Sequence, residues 1–202
     1  MSIEHFIYSA ALAVLIGMVF YTYTGRDSSW IIILFALAPD LDVIANPVLR
    51  IFGIRLLFEE HAITHGTFHN VLVMVLFGIA MAFLLHPLGI KFFDALFFST
   101  LGFGAHLFED ALVYNPGYKF LWPFYSKTIG LGLLPDMLSE EYYVRDFFHI
   151  ANTEILIIGL LLLLVAVIIR TWYERSSSWL RWYMPEKLYF SLFGKKSGAP
   201  ER

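Results

Sequence analysis

Five apolar runs constrain this chain more than any other feature. They extend from about Phe6 to Thr24, Trp30 to Val48, Asn70 to Leu85, Phe92 to Val113 and Ile150 to Ile169. About 20 apolar residues carry a helix across the hydrocarbon core of a bilayer at 1.5 Å per residue. Backbone groups in lipid find no water, so such runs must satisfy their own hydrogen bonds as helices. The second run is interrupted by Pro39-Asp40-Leu41-Asp42, which leaves only Trp30 to Ala38 continuous and predicts a broken or shallow helix. The fifth run has Glu154 as its only charge. The expected fold class is therefore all-α: a polytopic membrane-embedded bundle of about five spanning helices with a broken second helix. The 58% hydrophobic content agrees, since soluble domains stay near one half.

The N-terminal run has no Lys or Arg before it and ends in Tyr21-Thr22-Tyr23-Thr24-Gly25, not in a small-x-small cleavage site. It reads as a retained helix. The segment from Tyr114 to His149 is rich in Pro, Gly and aromatics and is expected to form a loop cap with short helices at the interface. From Trp172 onward, Trp and Tyr alternate with Arg and Lys, the signature of an interfacial segment. The chain thus divides into a membrane-embedded domain, residues 1–171, and an interfacial amphipathic tail, residues 172–202. Seven of the 14 Lys and Arg lie at or after Arg170. Excess positive charge stays on the cytoplasmic side, which predicts a cytoplasmic C-terminus and, with five spans, an N-terminus outside.

Polar residues in such a chain are costly and require partners. His5 starts the first run; Asp40 and Asp42 interrupt the second; His61, His65 and His69 precede the third; His106 and Asp110 lie late in the fourth. Helices alternating in direction bring all of them to one face, the extracytoplasmic one in this orientation. His61 with His65, and His106 with Asp110, are four residues apart, a spacing that places both side chains on one face of a helix. Cysteine is absent, so any metal must be held by nitrogen and oxygen. Asp40 and Asp42 repel one another unless a cation or proton neutralises one. Glu59, Glu60, Glu109 and Thr64 are placed to orient the imidazoles, and His69, Arg55 and His149 are further candidates to support the site or meet substrate. Each group also has a plain reading: an interhelical hydrogen bond for a lone His, a helix cap for the Asp pair, a loop contact for His69.

Together, His5, Leu37-Ala38-Pro39-Asp40-Leu41-Asp42, His61-Ala62-Ile63-Thr64-His65 and Gly102-Phe103-Gly104-Ala105-His106-Leu107-Phe108-Glu109-Asp110, with Trp122-Pro123 beyond them, resemble the YdjM type of small membrane-bound hydrolase. The resemblance covers roughly residues 1–124. The chain departs from the family pattern at Val43, where a His is usual, at Ala62-Ile63, where Arg-Gly is usual, and at Gly66, where a Ser is usual. The order of ligands is also similar to that of zinc-dependent phospholipase C and P1 nuclease.

The resemblance implies a metal-dependent hydrolase. The expected ligands are His5, Asp40, Asp42, His61, His65, His106 and Asp110, with Asp40 and Asp42 as the catalytic pair. The expected cofactor is two divalent ions, Zn2+ first and Mn2+ or Mg2+ as alternatives. A metal-activated water would cleave a phosphoester in a lipid or polyprenyl-phosphate-like substrate. Membrane lipid is expected as solvent and substrate, and nucleic acid is not expected as a partner. The alternative is a non-enzymatic metal-binding membrane protein or an ion transporter, against which stand the small number of helices and the lack of charge in their inner halves except near the ends.

Overall fold

A computed structural model describes residues 3–54, 57–58, 61–63, 65–113, 117–133 and 153–193. Among the described residues, four helices are long and apolar enough to cross a membrane: α1 (Ile3–Thr24), α4 (Val71–Leu85, continued by a 3-10 turn at His86–Leu88), α5 (Phe92–Val113) and α6 (Thr153–Glu174). Their boundaries have local causes. The Asn70 side chain caps α4 by accepting from the Val73 N–H at 2.9 Å. Pro87 and then Gly89, at φ 88°, end that span, and Gly25, at φ 67°, closes α1.

The expected second span is broken, as its Pro and Asp residues foretell. It consists of α2 (Trp30–Leu34), a 3-10 turn (Pro39–Leu41) and α3 (Asp42–Ile51). Four uninterrupted spans stand where five runs were counted. The broken segment nevertheless travels the length of the bundle. Ser29, before α2, bonds to Asp27 beside the far end of α6. Ala36 and Asp40 lie beside His106 and the start of α1.

One expectation fails here. His61 and His65 do not share a helix face. His61 lies in a two-residue strand, β2 (His61–Ala62), paired antiparallel with β1 (Leu57–Phe58), and His65 lies in the turn that follows. The helix begins only at Val71, so the four-residue spacing there carries no helical meaning. Arg55, Glu59, Glu60, Thr64 and His149 lie outside the described residues, as does the side chain of His61.

α1 packs along α6, α4 along α5, and α2 fits between α1 and α5. α5 is the central element: half of its most apolar stretch is buried, against 11% for α4, whose remaining surface is left for lipid. Ile31, Ile32 and Phe98 are fully buried where α2 meets α5.

Gly102 makes that contact close. A Cβ at this position would stand 2.8 Å from the Ile32 carbonyl oxygen, a backbone atom that cannot swing aside. The missing side chain lets the α2 backbone rest on α5, one helical turn before His106. At the far end, Arg170 of α6 is fully buried. Its guanidinium donates to Asp27 at 2.7 Å, Glu174 at 2.8 Å, the Tyr183 hydroxyl at 3.0 Å and the Val14 carbonyl at 3.3 Å. Trp179 is buried against it, with the guanidinium carbon 4.8 Å from the ring centroid. The chain beyond α6 therefore folds back onto α1 and α6 at least as far as Tyr183, and α7 (Glu186–Phe193) follows.

Gly102→Val is expected to cost about 1–3 kcal/mol by overpacking, read as a lower unfolding midpoint in detergent. Gly104→Ala is the control, since its Cβ would meet only the flexible Met74 sulfur at 3.1 Å. Equal midpoints for the two variants would show that the α2–α5 approach does not limit stability.

Candidate metal centre

The break in the second span and the starts of α1 and α4 place Asp40, His5 and His69 around the last turns of α5. His106 and Asp110 lie one helical turn apart on α5, and both are buried. The His106 Nδ1–H donates to the Ala36 carbonyl at 2.7 Å, a carbonyl set free where α2 ends. That bond fixes the tautomer and turns the lone pair of Nε2 inward. Nε2 faces Asp110 Oδ2 at 3.4 Å and Asp40 Oδ1 at 3.6 Å. A lone pair aimed at two carboxylate oxygens is repulsive unless a proton or a cation lies between them.

His69 completes the group from the loop before α4. It is buried, with Nε2 3.3 Å from Asp110 Oδ2 and 3.5 Å from Asp40 Oδ1. Neither ring nitrogen of His69, nor His106 Nε2, nor Asp110 Oδ2, has a hydrogen-bond partner of good geometry among the described residues. Buried polar atoms rarely stay unpartnered. Here three of them, His69 Nε2, His106 Nε2 and Asp110 Oδ2, point at one another.

The separations test the fit to an ion. Nitrogen and oxygen ligands about 2.0–2.1 Å from a tetrahedral ion lie about 3.4 Å from each other. The four imidazole-to-carboxylate separations among His69, His106, Asp40 and Asp110 run from 3.3 to 3.6 Å. Three sets of side chains have the spacing to hold a divalent cation: His69, His106 and Asp110; His5, Asp40 and His106; and Asp40, His65 and His69. Asp40, His69 and His106 each belong to two of them.

The surrounding groups orient these ligands. His5 Nδ1 is paired with Glu109 at 2.7 Å, and its ring stacks on His106 with centroids 3.8 Å apart. A proton on Nδ1 shared with Glu109 leaves Nε2 for the cluster, where it lies 3.9 Å from Asp110 Oδ1. Asp42, fully buried, has a different set of contacts from Asp40. Its Oδ2 accepts from the backbone N–H of Gly66 at 2.8 Å and of Phe68 at 3.2 Å, and its Oδ1 meets His65 Nδ1 at 3.3 Å. Asp42 thereby fixes the turn that carries His65 and His69. Burial disfavours the charged imidazolium of His69, but the Asp40 and Asp42 carboxylates outweigh it and hold its pKa up at about 9.

The structure thus assembles His5, Asp40, Asp42, His65, His106 and Asp110 from the sequence-derived candidates. The sequence reading gave His69 only a supporting or structural place, yet it lies at the centre. Helical spacing could not have found it, because His65 and His69 both precede α4. Tyr118 was missed altogether. Its hydroxyl is 3.1 Å from His65 Nε2 and its ring lies 4.3 Å from that of His69. No sequence periodicity links a loop tyrosine to a histidine 53 positions earlier.

A family model described as YdjM inner membrane protein matches residues 1–178, so the chain belongs to that family of membrane proteins. No curated protein and no solved structure matches.

Because His69 keeps a proton at neutral pH when no cation is bound, cation binding must expel it. Titrating Zn2+ into metal-stripped protein at pH 7, in buffers of different ionisation enthalpy, is expected to show proton release on the order of one per chain. Affinity should rise with pH until His69 is neutral, near 9. Heats independent of the buffer would contradict the inward-facing imidazolium.

Proposed function

We propose that this YdjM-family protein is a membrane-bound metal-dependent hydrolase that cleaves a phosphoester in a lipid or polyprenyl-phosphate-like substrate. The observation that carries this reading is the convergence of His69 Nε2, His106 Nε2 and Asp110 Oδ2, buried and without a hydrogen bond of good geometry among the described residues.

His69, His106, Asp40 and Asp110 would hold one divalent ion, and His5 and His65, at the edges of the cluster, would help hold a second. Zinc suits the nitrogen and oxygen donors and the near-tetrahedral spacing, with Mn2+ or Mg2+ as alternatives. When bound, such ions polarise a phosphoryl oxygen and lower the pKa of a coordinated water to about 7. The chain supplies the rest. Asp40, common to two of the three ligand sets, would help hold the ions and would be the carboxylate at hand to take up a proton. Asp42 holds the His65–His69 turn at fixed distance. Glu109 and the Ala36 carbonyl hold His5 and His106 in the tautomers that present Nε2.

The surroundings favour a substrate delivered from the bilayer. α3 starts at Asp42, beside the cluster, and exposes Val43, Ile44, Val48 and Ile51, with Phe52 just beyond. Apolar residues on a short helix with Arg50 on its last turn suit a helix lying in the headgroup region. A lipid could keep its tails in the membrane while its headgroup reaches Asp40. His5 and Arg170 lie at opposite ends of α1 and α6, and seven of the 14 Lys and Arg lie at or after Arg170 in the sequence. The positive-inside preference then puts the metal centre on the extracytoplasmic side and the C-terminal segment in the cytoplasm.

Protein purified in detergent should carry about two divalent ions per chain by elemental analysis. His69→Ala and Asp110→Ala should lose them. Asp40→Asn should lower turnover of a phospholipid and polyprenyl-phosphate panel by more than the roughly 10–100-fold that changes beyond the ligands cost. Wild type and variants alike free of metal would end the metal reading. Metal with no turnover on any member of the panel would favour an ion-binding or transport role.

A further inference from the structure

His65 differs from the other imidazoles of the cluster. Its side chain is 37% exposed, whereas His69 and His106 are almost completely buried. It stands on a turn, not a helix, so its direction must be set by contacts. Asp42 meets its Nδ1, and the Tyr118 hydroxyl meets its Nε2 at 3.1 Å.

Tyr118 is itself firmly placed. It pairs with Ile129 in an isolated antiparallel bridge, with the Ile129 N–H donating to its carbonyl at 2.9 Å. Two residues on, the Phe120 carbonyl accepts from Val71 N–H, the first residue of α4, at 2.8 Å. A Cβ at Gly117 would fall 2.0 Å from the Ile129 carbonyl oxygen, so only glycine lets the strands close beside Tyr118. A Cβ at Gly66 would come within 2.9 Å of the Tyr118 ring, which occupies the space that glycine leaves in the His65–His69 turn. The loop after α5 is therefore pinned to the start of α4 with the phenol directed at His65.

We propose that Tyr118 is a positioning residue that orients His65 and so builds a second, outer cation position from His65 and Asp40, distinct from the buried position of His69, His106 and Asp110. This inference rests on the metal-dependent reading given above. The hydroxyl suits the task because it serves both tautomers. Without a cation, His65 Nδ1–H donates to Asp42 and Tyr118 O–H donates to Nε2. With a cation on Nδ1, the proton resides on Nε2 and is donated to the Tyr118 oxygen. No bond is made or broken beyond this proton shift within one imidazole. The outer position faces the exposed edge of the cluster, where a phosphate-bearing headgroup would meet it, and the buried position is closed by its own ligands.

The two positions should differ in affinity, and only the outer one should depend on Tyr118. Metal-stripped wild-type protein titrated with Co2+ and followed by visible absorption is expected to fill in two phases. Tyr118→Phe keeps the ring over His69 and removes only the hydroxyl. It should leave the first phase unchanged, which also reports an intact fold, and weaken the second by about 10–100-fold. His65→Ala should abolish the second phase, and adding Tyr118→Phe to it should change nothing further. A Tyr118→Phe titration identical to wild type overturns the proposal, as does equal weakening of both phases. A single wild-type phase overturns the outer position but leaves the buried one. No Co2+ uptake by wild type overturns the metal reading itself, an outcome separate from the others.

Discussion

Charge buried in an apolar bundle must be neutralised in place, and this chain does so in contrasting ways at its two ends. Around Arg170 the balance is complete. Asp27 and Glu174 supply two carboxylates, Tyr183 and the Val14 carbonyl take further donors, and Ser29 bonds the remaining oxygen of Asp27 through its N–H and hydroxyl at 2.9 and 2.6 Å. Such a network resists loss of any one partner, because the charge left behind would be stranded in low dielectric. Around His106 the balance is open. Asp40, Asp42, Glu109 and Asp110 face four imidazoles, and the central nitrogens and an oxygen of Asp110 have no hydrogen bonds. The same chain that saturates a buried guanidinium leaves polar atoms between these carboxylates without hydrogen bonds of good geometry among the described residues. His69, His106 and Asp110 have the spacing to hold a divalent cation there.

The broken second span connects these two ends. A continuous helix from Trp30 to Val48 would have satisfied the Ala36 carbonyl internally and kept Asp40 on a regular helical face. Breaking it at Pro39 frees that carbonyl to accept from His106, which decides which nitrogen of His106 faces the cluster. The close approach at Gly102 makes the bond reachable. One proline and one glycine, on different segments, thus set the protonation geometry of a histidine that neither touches. Irregular backbone at this depth is tolerable because it is surrounded by protein rather than lipid.

Much of this was legible in the sequence, for physical reasons. Apolar run length gives the spans directly, so α5 was read at Phe92–Val113, as the structure has it. The start of α4 was read at Asn70, which is its cap. Pro39 foretold the break. The alternation of helix direction brought His5, Asp40, His106 and Asp110 together without any knowledge of side-chain contacts. The failures lie where the backbone is not periodic. Among the described residues between α3 and α4 stand a two-residue strand pair and a turn, so the four-residue spacing of His61 and His65 is not helical, and His69 was undervalued. Tyr118 and the Arg170 network depend on contacts between distant loops and helix ends, for which one-dimensional spacing has no signal.

The two aspartates of the Asp40-Leu41-Asp42 unit show why identity alone does not assign a role. From spacing they are equivalent, and either could bridge two ions. Their hydrogen bonds separate them. Asp42 spends Oδ2 on two backbone N–H groups, which positions the turn and leaves only Oδ1 directed at His65. Asp40 instead presents Oδ1 to His69 at 3.5 Å, His106 at 3.6 Å and His65 at 3.9 Å, reaching imidazoles from both the buried and the exposed part of the cluster. One carboxylate builds the frame and its neighbour faces the imidazoles of the cluster. The 3-10 turn that carries Asp40 ends at Leu41 and α3 starts at Asp42, so the two carboxylates stand on different segments.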